Sequence, residues 1–481
     1  MLLKRFYDNK LAQASYLVGC AATGEALVVD PNRNAEEYVA AAAGEGLRIT
    51  HVTETHIHAD YVSGSRELAA RTGARMYLSA EGGPDWQYEF AAADGATLLR
   101  DHDTFMVGNI RIEVLHTPGH TPEHLSFLVT DTAATEAPMG VFTGDFVFVG
   151  DVGRPDLLER AAKVANTMEA GARQLYASIQ RFKELPDHLQ IWPGHGAGSA
   201  CGKSLGAVPQ TTLGYERVVN WGLTSPSEAE FVREVLEGQP DPPRYFAEMK
   251  RINREGPRVL GAFARPRAMR PAELSEVLAR GAMVVDTRSA DAFAAGHVPG
   301  MINLPLNKSF TTWAGWFLPY DADFYLLTTD GARALDETVR DLATIGLDRV
   351  AGWFSTDAIA AWAGAGRTLE TVRQMKPAEL AAELGNAPVA VLDVRSAGEW
   401  EAGHLPDVPN IPLGQLPGRM AEVPAGRPLV LQCQGGGRSA IAASILQARG
   451  IKDVVNLSGG FGAWEQEGRP VERPAAPVVA G

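Results

Sequence analysis

The sequence predicts an α/β protein of three domains, and three observations predict it. At 481 residues the chain is too long for one hydrophobic core and matches about three domains of ordinary size. Its first half alternates short apolar, strand-like runs with polar turns and helical stretches. Its second half contains one α/β unit twice. A composition of 45% hydrophobic and 21% charged residues is that of a folded globular chain.

The elements follow in order. Over residues 1–250 the strand-like runs are ALVVDP (26–31), ITHVTETH (49–56), IRIEVLHTPGH (110–120) and GVFTGDFVFVG (140–150), with helical stretches at 35–44, 64–72, 156–180 and 226–238. That mixture predicts layered sheets and helices in one domain. Residues 251–268, rich in Arg, Pro and Gly, read as a linker. The repeat then occupies 269–306 and 375–413. Each copy reads as a helix, a buried strand ending in Asp-x-Arg, a short helix, Gly-His-x-Pro, and a strand ending in Pro-Leu. Two domains are expected, at 269–370 and 371–475, with a disordered tail at 476–481.

Charge and cysteine content narrow the function classes. Forty-four basic against 58 acidic side chains give a net charge of −14, which gives no electrostatic support to nucleic-acid binding. No apolar run approaches the roughly 20 residues that cross a bilayer, and the N-terminus lacks a signal-peptide core, so a cytoplasmic protein is expected. Three cysteines, Cys20, Cys201 and Cys433, do not make a disulfide framework. Cys20 reads as a small buried hydrophobe.

Chemistry-bearing residues gather at strand ends. Thr55-His56-Ile57-His58-Ala59-Asp60-Tyr61 follows the run ITHVTE, and His116, His120 and His124 follow RIEVL. Asp145 ends FTGD, and His195 follows QIWPG. Four strand ends carrying His or Asp, in a chain with 11 His, predict one metal site. These residues resemble the metallo-β-lactamase superfamily, whose signature is His-x-His-x-Asp-His with later His, Asp and His. The chain departs from it at Tyr61, where the last His of the signature stands. The binuclear zinc hydrolases of the family hold their second metal with that His, so its loss argues for one metal. His56, His120 and Asp145 remain, the two imidazoles and one carboxylate used by non-haem Fe(II) oxygenases. This is similar to the persulfide dioxygenase branch of the superfamily, which implies one Fe(II) per chain, with zinc as the alternative. His58, Asp60, Tyr61 and His195 then surround the ligands and orient them, the alternative for His58, Asp60 and His195 being a residual second metal site. The branch also places an arginine near its substrate. Arg154, in GDVGRPDL, either holds an anionic group of the substrate or pairs with Asp156. Cys201, in the Gly-rich loop after His195, is either a thiol facing the metal or a structural one.

The last domain carries a second chemistry. In LVLQCQGGGRSAIAAS a strand ends at Cys433, glycines follow, and a helix opens near Ser439. Backbone N–H groups of Gln434, Gly435, Gly436 and Gly437, with Ser439 and the charge of Arg438, would cradle a thiolate or a persulfide sulfur. The segment resembles rhodanese, as do LDVRSAGEWEAGHLP (392–406) and LSGGFGAWEQEGRPV (457–471). In the first copy Thr328 falls where Cys433 falls in the second, so this copy cannot carry sulfur covalently.

Together the resemblances imply a metallo-β-lactamase αββα sandwich followed by two rhodanese-like α/β domains. They imply oxidation of a small thiol persulfide (glutathione, coenzyme A or similar) by O2 to sulfite, with Cys433 linking sulfite to thiosulfate, and self-association into a homo-oligomer. Two rivals stand beside this: a zinc thioester hydrolase like glyoxalase II, and a sulfur relay without catalysis at the metal.

Overall fold

The computed structural model describes residues 1–160, 167–203, 205–239, 242–329, 332–386 and 389–473. The expected tail at 476–481 lies outside them. The chain divides into two units: Met1–Phe263 with Arg340–Gly346, and Ala264–Val339 with Leu347–Gly481.

In the first unit, strands β1 (Leu2–Asp8), β2 (Gln13–Cys20), β3 (Glu25–Val29), β4 (Arg48–Thr53), β5 (Arg75–Ser79) and β6 (Thr97–Leu99) form one sheet in sequence order. A second sheet, in the order β12–β11–β10–β9–β8–β7, is built from β7 (Thr104–Val107), β8 (Ile110–His116), β9 (Leu125–Asp131), β10 (Gly140–Gly144), β11 (Gln190–Pro193) and β12 (Thr211–Thr212). Alternation explains how they stack. Ala14, Tyr16 and Val18 share a buried cluster with Ile110, Ile112 and Val114, and with Leu125, Phe127 and Val129. Residues two apart on a strand share a face, so these are the two inner faces of a sandwich. The intervening Leu17, Ala26 and Val28 pack with Tyr38, Ala42 and Leu68 of helices Ala35–Gly44 and Ser65–Thr72. Leu128 and Val141 pack with Leu175, Ile179 and Phe231 of helices Met168–Phe182 and Glu228–Leu236. The layers are therefore αββα.

The strand-like runs extend beyond the strands themselves. β4 stops at Thr53, β8 at His116 and β10 at Gly144, and the residues beyond are loops. Those loops carry the ligand-type side chains.

The second unit holds two parallel four-stranded sheets. One is ordered β14–β13–β15–β16, from β13 (Met283–Asp286), β14 (Ile302–Asn303), β15 (Phe324–Leu327) and β16 (Val350–Phe354). The other is ordered β17–β20–β19–β18, from β17 (Arg373–Met375), β18 (Ala390–Asp393), β19 (Leu429–Gln432) and β20 (Val454–Leu457). The expected strand ending in Pro-Leu is β14 in the first copy. In the second copy it shrinks to a single bridge, Asp393 to Asn410, because Pro409 and Pro412 on either side lack the N–H a ladder needs. The Asp-x-Arg motif proves to be a brace. Arg395 pairs with Asp393 at 2.7 Å and donates to the Gly403 carbonyl at 2.8 Å, as Arg288 does to Asp286 and Gly296.

Candidate metal centre and thiol site

Three strand ends deliver the metal-site residues. His56 lies in the loop after β4, His120 in the loop between β8 and β9, and Asp145 just after β10. Gly144 has φ +47°, and a Cβ there would lie 2.3 Å from Thr55 Oγ1, so a side chain at this position would push the His56 loop away. His56 Nε2 lies 3.8 Å and His120 Nε2 3.4 Å from Asp145 Oδ2. One ligand atom from each of the three residues falls within 4.8 Å of the others, and all three residues are buried.

The far side of each group is already engaged. His56 Nδ1 lies 3.0 Å from Thr55 Oγ1, whose hydroxyl donates to Asp30. His120 Nδ1 is 2.9 Å from the Arg154 carbonyl, which fixes Nε2 as the nitrogen left to bind. The Asp145 N–H donates to His124 Nε2 at 3.2 Å. The near side has no such partners. His56 Nε2 and both oxygens of Asp145 are buried without a hydrogen bond. Buried polar atoms this close cost stability unless a cation joins them, so the donor set fits a metal ion. Burial, reinforced by the neighbouring imidazoles, holds His56 well below the usual histidine range, and burial also lowers His120. Neutral rings are the form that binds metal.

His58 belongs to a different network. Its Nε2 lies 3.1 Å from Asp30 Oδ1. Burial would lower its pKa, but Asp30, with Glu54 and Asp60 behind it, raises it to about 9. Its Nε2 is thus braced on Asp30, while its Nδ1 is buried without a hydrogen bond. Tyr61 turns the same way: its hydroxyl donates to the Asp30 carbonyl at 3.2 Å. Asp30 thus organises Thr55, His58 and Tyr61, a role no local pattern in the sequence marks. His116 points elsewhere, its Nε2 lying 2.8 Å from the Pro122 carbonyl.

Asp60, His195 and Cys201 form a second group of ligand-type atoms, again within 4.8 Å of one another and buried. His195 Nε2 is 3.2 Å from Asp60 Oδ2 and 3.4 Å from Asp145 Oδ1. The structure thus brings Cys201 to the metal pocket. Burial, with the charges of Asp145 and Asp60, pushes its thiol well above the usual range. Arg154 requires a correction as a substrate-binding residue. Its guanidinium is fully buried, paired with both oxygens of Asp156 at 2.7 Å and donating to the Ala200 carbonyl at 3.0 Å. Its donors are spent on holding the loop that carries Cys201. Cys20 sits in the core between the sheets, as expected.

In the second unit Cys433 follows β19 and is 2% exposed. Gly436 N–H lies 3.1 Å and Ser439 Oγ 3.4 Å from its sulfur. Gln434, Gly435 and Gly437 are exposed around it. Arg438 is not a free cation at the rim, since both its terminal nitrogens bind Glu399, at 2.6 and 2.7 Å. Burial would raise the Glu399 pKa, but the Arg438 and Ser396 contacts carry it down to about 2. The segment after β20 closes the loop. Phe461 N–H donates to the Cys433 carbonyl at 2.7 Å, and Gly462 N–H to that of Gln434 at 3.0 Å. Glu399 and Gly460–Gly462 are functional neighbours that the spacing around Cys433 did not mark.

Comparison with known proteins agrees with this geometry. Residues 8–195 match the family described as the metallo-beta-lactamase superfamily, and residues 270–351 and 376–467 match the rhodanese-like domain. A crystal structure of a metallo-beta-lactamase from Staphylococcus aureus subsp. aureus COL is 42% identical, with a TM-score of 0.66, over 74% of this chain and 99% of that one. A mitochondrial persulfide dioxygenase of Bos taurus is 28% identical over 48% of this chain and 80% of its own length. A hydroxyacylglutathione hydrolase of Polaromonas sp. (strain JS666) is 32% identical over 40% of this chain and 66% of its own. Other curated relatives are spanned over 54% and 60% of their lengths. The chain belongs to the metallo-beta-lactamase superfamily. Within it, this is a metallo-beta-lactamase domain followed by two rhodanese-like domains, the first without a cysteine. Among the described residues no helix is long and apolar enough to cross a membrane.

Proposed function

We propose that the chain is an iron(II)-dependent persulfide dioxygenase joined to a sulfurtransferase. The overall reaction is R–S–SH + O2 + H2O giving R–SH, sulfite and two protons. The observation that carries it is the ligand set. His56, His120 and Asp145 converge on one point, with His56 Nε2 and both Asp145 oxygens unpartnered, while His58 Nε2 is braced on Asp30 and Tyr61 stands in place of an imidazole. Two imidazoles and one carboxylate leave coordination positions open, and an iron(II) held there supplies the one-electron chemistry that lets dioxygen react with a persulfide. Around it, His195 and Asp60 can hold protons released at the sulfur, and the bovine relative is itself a persulfide dioxygenase. Cys433 then passes sulfane sulfur from a second persulfide to sulfite, giving thiosulfate. A homo-oligomer in the cytoplasm is part of the same reading.

The second reading is a zinc thioester hydrolase, in line with the hydrolase relative. One observation favours it: Asp60, His195 and Cys201 lie together where a second metal would sit. Oxygen uptake on adding glutathione persulfide to the iron-loaded chain decides between them, with metal content measured alongside. Rapid uptake at one iron per chain, lost in Asp145→Ala, supports the dioxygenase. No uptake with any persulfide, with two zinc ions bound and thioesters cleaved, replaces it by the hydrolase.

A further inference from the structure

The Cys-less copy supplies most of a cavity beside the sulfur-transfer loop. This cavity, of about 360 Å³, lies at the N-terminal end of helix Gly437–Ala448, whose first residues belong to the Cys433 loop. Gly437, Arg438 and Ile441 form one wall. The remaining walls come from the Cys-less copy, with Leu304, Phe310 and Trp313 as the apolar surface and Thr287, Asn307 and Ser309 as the polar one. The two copies are joined tightly here. Asn303 N–H donates to Ser444 Oγ on that helix at 2.9 Å in a buried contact, and Gly414 lies so close to Trp316 that a Cβ would approach its ring to 2.7 Å. The volume is within the range of small-molecule sites.

The lining states the chemistry of the occupant. Among the described residues lining the cavity Arg438 alone is charged, and its ion pair with Glu399 balances that charge. Asn307 Oδ1 accepts the Ser309 N–H at 2.8 Å, which leaves the Asn307 amide N–H groups as donors for a carbonyl. A ligand with carboxylates or an ammonium close to its sulfur would bury unpaired charge. A chain of methylenes and amides would not.

We propose that this cavity seats the carrier half of the persulfide substrate of Cys433, and that it selects thiols whose arm near the sulfur is neutral and amide-bearing, as in pantetheine. The proposal rests on the sulfurtransferase part of the function above and not on the oxygen chemistry. In the step it serves, the Cys433 thiolate attacks the outer sulfur of R–S–SH. A bond forms between Sγ and that sulfur, the S–S bond of the persulfide breaks, and the inner sulfur leaves with R and the proton as R–SH. Sulfite then takes the sulfur from the Cys433 persulfide and restores the thiolate.

The test is anaerobic sulfur transfer by the full-length chain to sulfite from coenzyme A persulfide and from glutathione persulfide, with thiosulfate-to-cyanide transfer as the carrier-free control. The wild type should prefer coenzyme A persulfide. Trp313→Ala should lose about tenfold in kcat/KM with it, through KM. Its thiosulfate-to-cyanide rate should stay within about twofold, which also shows that the variant is folded. A preference for glutathione persulfide, no loss in the variant, or an equal loss with thiosulfate each overturns the carrier site. A chain that moves no sulfur from any donor removes the sulfurtransferase reading and this proposal with it. Failure of oxygen uptake leaves this result standing.

Discussion

Single side chains here act mainly through what holds them. Asp145 is aimed by a hydrogen bond from its own N–H to His124, and His120 by the Arg154 carbonyl, so the ligands are set by residues that never touch the ion. At the sulfur site the decisive neighbour is a residue with no side chain. Gly460 has φ +56°, and a Cβ on it would lie 2.0 Å from the Cys433 carbonyl. Gly460→Ala should therefore displace the 433–439 loop. We expect it to cut thiosulfate-to-cyanide transfer by at least about tenfold and to destabilise the chain by about 1–3 kcal/mol, while leaving oxygen uptake untouched. Unchanged transfer in that variant would show that the loop tolerates the side chain.

At the scale of elements, the loops carrying His56 and His120 are tied to one another beside the candidate metal site. Glu123, in the loop between β8 and β9, is fully buried and accepts the Ile57 N–H of the His56 loop at 2.8 Å. Burial lifts its pKa from 4.5 to about 7, against the pull of that N–H and of Lys250. Below pH 4.5 the folded and unfolded chains both hold this proton, so the group costs nothing. Between 4.5 and 7 the unfolded chain releases it while the folded one keeps it, and stability falls as pH rises. Glu123→Gln keeps an acceptor for Ile57 and removes the titration. In the metal-free chain its stability relative to wild type should improve from pH 5 to pH 8 by up to about 3 kcal/mol. Urea midpoints at the two pH values measure this, and an equal difference at both would refute it.

At the scale of the molecule, the first unit spends its sandwich on positioning loops and the second spends two copies of one fold on one thiol. A metal held by His56, His120 and Asp145 would join loops from both sheets of the first unit, so its removal should be felt there together. On chelation, amide hydrogen exchange should rise in peptides covering 54–61, 117–124 and 144–154, and recover when iron(II) is restored without air. Rigid peptides after chelation would mean that the apoprotein network alone holds the site. Much of this was legible beforehand. The alternation of strands and helices, the repeat and the strand ends bearing His56, His120, Asp145 and Cys433 are local patterns of periodicity and turn chemistry, and the αββα order followed from the family resemblance. The strand boundaries were not, because apolar runs continue into ligand loops that are buried for a different reason.

The sequence by itself determined the kinds of domain, their order, the loss of sulfur chemistry from the first repeat, and the list of groups able to bind a metal. These depend on which residues are present and how they are spaced. The tertiary structure alone decided which of those groups share a point. It gave His58 and Tyr61 to Asp30, closed Arg154 on Asp156, brought Cys201 beside Asp60 and His195, and paired Arg438 with Glu399. The reason is physical. Hydrogen bonds and ion pairs act over about 3 Å, and partners 28 or 39 residues apart in sequence, as His58 and Asp30 or Arg438 and Glu399 are, meet at that distance only once the strands before them have paired, β3 with β4 and β18 with β19.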